Sequence, residues 1–243
     1  MKDRIYEAPQ HLRENIEKLF SVQRFRNYEK GIFYDNSGAH TIRGIDLIDT
    51  LPLSNDSKEA VKARFWPHDV PEIMTLDYTV IEKQDKGLAL SLSEQEKSAA
   101  RILLTEQDQK YLSEFNLAAK VLKGEEDNNV PTPEATIAVI VDRVEGNIFF
   151  HISLARWTSS QEYDPDKLPP SQALTYTFVI DELFRQNIPS CNLQGEFQQA
   201  AEYLLKYQLD EVKNAWGNVP IERFPSILLD YLKKYSLVEN KQN

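Results

Sequence analysis

Apolar positions recur along this chain with two different periods. Leu12, Ile16, Leu19 and Phe20 follow Pro9 at helical spacing with charges between them, which predicts a first helix. The stretch "GIFYDNSGAH" reads as a short strand and a turn, with Asn36, Ser37 and Gly38 supplying the turn chemistry. "DSKEAVKARF" reads as a short helix that ends before Trp66 and Pro67. Next, "TLDYTVIEKQDKGLALSL" alternates on two arms around "QDKG", the pattern of a β-hairpin.

Ser93 with Glu96, and Thr105 with Asp108, have capping-box spacing and predict two helix starts. Tyr111, Leu112, Phe115, Ala118, Ala119 and Leu122 form the core stripe of the second helix. Residues 123–135, "KGEEDNNVPTPEA", are acidic and carry two prolines, so they read as a linker or exposed loop, with Gly124 as a helix C-cap. "TIAVIVDRV", "EGN" and "IFFHISLARW" then read as a second hairpin, its first arm apolar on both faces. After the polar stretch "TSSQEYDPDKLPPSQ", the chain from Ser171 onward is mostly helical in pattern, although "LTYTFVIDELFRQ" also alternates. Phe197, Ala201, Leu204 and Leu205 mark one helix; Ile227, Leu228, Tyr231, Leu232 and Tyr235 mark the last, after Pro225. The expected fold is α+β: a mostly antiparallel, hairpin-built sheet flanked by helices, with a helical C-terminal part over 171–237. Residues 1–243 are expected to form a single domain, with a sub-boundary possible at 123–135.

Composition narrows the functional classes. The 243 residues are 41% apolar and 27% charged, ordinary for a globular chain. A net charge of −10 opposes a phosphate backbone, so nucleic acid is not the expected partner. The same charge admits an acidic decoy of a nucleic-acid-binding protein as an alternative. Cys191 is the one cysteine, which excludes an internal disulfide. The first fifteen residues lack the apolar core of a signal peptide, and no apolar run approaches the roughly 20 residues of a membrane span. The expectation is therefore a soluble cytoplasmic protein that does not contact membranes.

Candidate chemistry is sparse. The glycine-rich phosphate loops and the His-Glu-x-x-His zinc helix do not occur. The four histidines, His11, His40, His68 and His151, are far apart in sequence, and neither a metal nor a cofactor is expected. In "GAHTIRG" the threonine is adjacent to His40, and in "WPHDVPEI" His68 precedes Asp69. Glu162, Asp164 and Asp166 alternate in a segment stiffened by proline and read as a solvated acidic loop.

One short stretch carries a family likeness. In "FFHISLAR", His151 and Ser153 stand two apart, so on a strand they share a face. This resembles one of the two His-x-Thr or His-x-Ser motifs of the 2H phosphoesterases, the superfamily of the 2′-5′ RNA ligase-like proteins; one copy is present here. The resemblance implies a phosphoesterase with His151 as general base and Ser153 as phosphate ligand. The leading expectation is different: a non-enzymatic protein that works by binding a protein partner or its own copy. Its candidate surface is the aromatic-rich C-terminal part, with Tyr203, Tyr207, Trp216, Tyr231 and Tyr235.

Overall fold

The structure is a computed structural model that describes residues 2–22, 35–74, 89–160, 180–224 and 226–235. Among these residues the chain is helical and no sheet forms, so the α+β expectation is replaced by an all-helical fold. The principal helices are α1 Arg13–Leu19, α2 Ser37–Thr50, α3 Asn55–Phe65, α4 Ala89–Leu103, α5 Glu106–Leu122, α6 Pro133–Ser159, α7 over residues 180–187, α8 Gly195–Trp216 and α9 Ser226–Lys234. Short 3-10 turns, notably Val70–Met74, link them.

The decisive correction is α6. The expected second hairpin is one helix of 27 residues. Thr132 caps its start by accepting from Ala135 N, and Pro133 sits in the first turn, where its missing N–H costs nothing. From Ala135 to Val141 every residue is buried. A helix that is apolar all round is one that neighbours enclose, and periodicity cannot then separate it from a buried strand. That is the situation here: α6 packs against α2, α3, α5 and α8. Gly146, expected at the hairpin turn, lies in mid-helix, and a Cβ there would meet nothing within 4 Å.

A second correction is α2. Its "NSG" start is a cap, not a β-turn. The Asn36 side chain accepts from Ala39 N at 2.7 Å, and the helix runs on through two glycines. Gly44 allows close approach: a Cβ there would lie 2.1 Å from Phe65 Cζ. Of the first expected hairpin, 89–92 belong to α4, while the remainder and the acidic loop at 162–166 lie outside the described residues.

Several predicted elements are present. Thr105 and Asp108 form a reciprocal capping box at the start of α5. Gly124, at φ +71°, ends that helix, with Glu125 N donating to Lys120 O and Gly124 N to Val121 O. The stripe on α5 is core, with Phe115, Ala118 and Leu122 buried. The main core gathers around α6, and a second cluster joins its C-terminal end to α8 and α9 through Leu154, Trp157, Val212, Trp216 and Leu228. No helix among the described residues is long and apolar enough to cross a membrane.

Candidate functional site

The middle of α6 breaks its apolar surroundings with Asp142 and Glu145, three apart and so on one face. His40 and Arg43, three apart on α2, face them. His68 and Asp69 follow α3 in the bend before Val70–Met74. Packing thus brings three segments to one point, and histidines 28 residues apart in sequence become ring neighbours at 5.5 Å between centroids.

The geometry of each imidazole is specific. His68 Nδ1 lies 2.6 Å from Phe65 O, and a carbonyl only accepts, so Nδ1 carries the hydrogen. Its Nε2 then points at Asp69 Oδ1 at 3.1 Å and Asp142 Oδ1 at 3.3 Å. His40 is built alike. Nδ1 bonds the Glu145 carboxylate, and Nε2 lies 2.9 Å from Asp142 Oδ1. Glu145 is held in turn by Arg43, whose guanidinium also grips Asp35. Two ring nitrogens therefore face carboxylates with both Nδ1 atoms already committed.

These separations suit one cation. Two donors each about 2.1 Å from an ion and at right angles stand about 3 Å apart. The 2.9 and 3.3 Å from Asp142 Oδ1 to the Nε2 atoms of His40 and His68 match adjacent corners of one coordination sphere. His40, His68 and Asp142 satisfy the geometry of a metal-binding group, and Asp69 adds a second carboxylate oxygen beside His68. His68 Nε2 is buried, and the groups it faces are the carboxylates of Asp69 and Asp142. The Glu145–His40 and Phe65–His68 hydrogen bonds are the outer contacts that fix which nitrogen faces a metal. A second acidic group, Asp35, His40 and Glu145, also has metal-like spacing, but Arg43 supplies the positive charge there.

Electrostatics favour the ionised donors. Burial alone would raise the Asp142 carboxyl; hydrogen bonds and charge from His40 and His68 outweigh it and hold that group well below the usual carboxylate range. Glu145 is lowered as well: burial opposes ionisation, and His40 and Arg43 override it.

His68, Asp69 and Asp142 line a cleft of about 820 Å³, together with Glu72, Gln109, Asn116 and residues of α4. Glu72 follows Asp69 by three residues on a 3-10 turn, so it looks the same way, and Ser37 Oγ lies 3.5 Å from its Oε2.

His151 and Ser153 sit elsewhere. On a helix, residues two apart point roughly 200° away from each other, so the shared strand face behind the phosphoesterase likeness is absent. His151 is fully buried; Trp216 donates its indole N–H to Nδ1 at 3.1 Å, and Tyr231 stacks on the ring. Burial pushes its pKa down to about 3, with Asp181 opposing and Arg143 adding to the shift. Ser153 is half-buried.

Of the five aromatic residues expected at a partner surface, Trp216 and Tyr231 are in the core. The Tyr231 hydroxyl donates to Asp181 and that of Tyr235 to Glu182. Tyr203 and Tyr207 stack on each other on α8, and Tyr203 is exposed. Cys191 is buried, and burial raises its thiol pKa.

No sequence pattern joins the residues that do come together, His40, His68, Asp69 and Asp142. The available signal was local: His68-Asp69 followed by Glu72 places three donor-type side chains within five positions. No protein-family model, curated protein or solved structure matches the chain.

Proposed function

We propose that this chain is a metal-dependent hydrolase acting on phosphate esters, with the divalent cation held by His40, His68, Asp69 and Asp142. One observation carries the reading: the ring nitrogens of His40 and His68 and the Asp142 carboxylate lie within 4.8 Å of one another, with Asp69 beside His68 and each Nδ1 tied to an acceptor. Mixed imidazole and carboxylate donors suit ions of the manganese-to-zinc series. Such an ion supplies Lewis acidity and an acidified water when bound. A cleft of this size beside His68, Asp69 and Asp142 leaves room for a substrate.

The chain's own groups do the rest. Glu72 is placed to take a proton from the attacking water and return it to the leaving oxygen, so that ester and water become phosphate and alcohol. Glu145 and Phe65 O keep the rings from turning. The Phe65 and Phe115 rings, at 4.5 and 5.1 Å from the His68 ring, keep bulk water off its back.

The test is hydrolysis of p-nitrophenyl phosphate with and without added Mn²⁺ or Zn²⁺, and after chelation. Asp142→Asn and His68→Ala are expected to lose both metal binding and turnover. Glu72→Gln is expected to bind metal normally and to lose roughly 10²–10⁴-fold in kcat. Turnover that survives chelation, or that survives Asp142→Asn, contradicts the reading.

A further inference from the structure

The cleft has a basic wall in an acidic protein. The chain carries a net charge of −10, yet Lys97 and Arg101 of α4, Lys120 of α5 and Lys123 at the C-cap of α5 all face this one cleft. Their spacing is helical: four apart on α4 and three apart on α5, so each pair shares a face. Gln109 and Asn116 stand on the same face of α5. Lys97 also reaches Glu94 at 2.7 Å, and Glu96 and Glu125 border the cleft. Lys120 and Lys123 form no ion pair among the described residues.

The distance from the metal donors is set by α5. Phe115 stacks on the His68 ring, which fixes where that helix passes the site. Lys120 and Lys123 follow five and eight residues later, about 8 and 12 Å further along the axis. A monophosphate seated at His68 and Asp142 would stop short of them. Ammonium groups on flexible stems are apt partners for phosphate oxygens, and near a low-dielectric wall their fields add.

Resting on the phosphate-ester reading above, we infer that the substrate is a linear oligophosphate, free or attached to a nucleoside. Its terminal phosphate lies at His40, His68, Asp69 and Asp142, and its remaining phosphates run along α5 to Lys120 and Lys123. Hydrolysis then releases orthophosphate from the chain end: water attacks the terminal phosphorus, and the bridging oxygen leaves with the shortened chain.

The test uses the full chain loaded with Mn²⁺ at low ionic strength. Calorimetry measures binding of Mn²⁺, then of inorganic tripolyphosphate and of orthophosphate. Kinetics compare tripolyphosphate, ATP and p-nitrophenyl phosphate. The variant is Lys120→Glu/Lys123→Glu, with Lys120→Ala/Lys123→Ala beside it and circular dichroism as the check on folding. The expected result is tighter binding of tripolyphosphate than of orthophosphate. Charge reversal should raise KM for tripolyphosphate and ATP roughly tenfold and leave KM for p-nitrophenyl phosphate and kcat unchanged. Added salt should erode the preference in the wild type alone. ATP and tripolyphosphate behaving alike assigns recognition to the phosphates; ATP binding far better adds a nucleoside contact. If Mn²⁺ binds and p-nitrophenyl phosphate is hydrolysed, but the oligophosphates gain nothing or ignore the charge reversal, this inference falls and the hydrolase reading stands. If Mn²⁺ does not bind, both fall.

Discussion

Each metal-facing nitrogen is fixed by what its partner nitrogen does. His68 donates from Nδ1 to Phe65 O, and His40 to Glu145, which leaves both Nε2 atoms for the same point. Outer contacts of this kind are worth about 10–100-fold in metal affinity. Glu145→Gln is therefore expected to weaken Mn²⁺ binding by about that factor in a calorimetric titration, with the four donors intact. Binding at wild-type strength would show that Glu145 does not position His40. His151 makes a separate prediction. The unfolded chain takes up a proton on this histidine near its ordinary value of about 6.5, and the folded chain only at about 3. Its contribution is complete above about pH 6.5 and is lost as pH falls toward 3, at about 1.4 kcal/mol per pH unit. Urea unfolding at pH 7 and pH 4.5 should show a smaller pH dependence in His151→Gln, which keeps an acceptor for the Trp216 indole. An unchanged slope would contradict a buried neutral imidazole. In sequence, His151 drew attention because its neighbour at two residues looked like a strand partner. His40 and His68 did not, because their convergence depends on how α2 and α3 pack on α6. Only the adjacency of His68 and Asp69 was legible locally.

Elements with one apolar face and a cap were readable, and elements enclosed by others were not. The Thr105–Asp108 box, the α5 stripe and the Gly124 cap all act through local hydrogen bonds or a single face. By contrast α6 is apolar on every side because α2, α3, α5 and α8 surround it, so its β-branched run and central glycine imitate a hairpin. The account of α6 can be tested at Gly146. A mid-helix glycine with open space around it costs roughly 0.5–1 kcal/mol against alanine, so Gly146→Ala should stabilise the protein by about that amount in urea unfolding. Destabilisation would mean that the helix does not pass through this residue as described. Gly44 is the opposite case. Its Cβ would strike Phe65, whose ring packs on His68, so Gly44→Ala is expected to cost about 1–3 kcal/mol and to weaken metal binding as well. A full-strength metal site in that variant would separate the α2–α3 contact from the site.

At the scale of the molecule, a central helix delivers Asp142 and Glu145 into the middle of the bundle, and the neighbouring helices supply the remaining donors and close the core around them. The composition of the chain carries no trace of this, because an acidic balance averages over the surface and hides a basic wall on one cleft. A site that joins α2, the bend after α3 and α6 also couples metal binding to folding: a ligand that binds only the folded chain stabilises it by about 2.7 kcal/mol at a hundredfold excess over Kd.

The most direct measurement is a calorimetric titration of Mn²⁺ into the metal-stripped protein, side by side with Asp142→Asn and His68→Ala. A single saturable site is expected in the wild type, with its loss in both variants and their helical circular dichroism unchanged. No saturable binding in the wild type, or equal binding in the variants, would contradict the assignment of these donors to a metal centre.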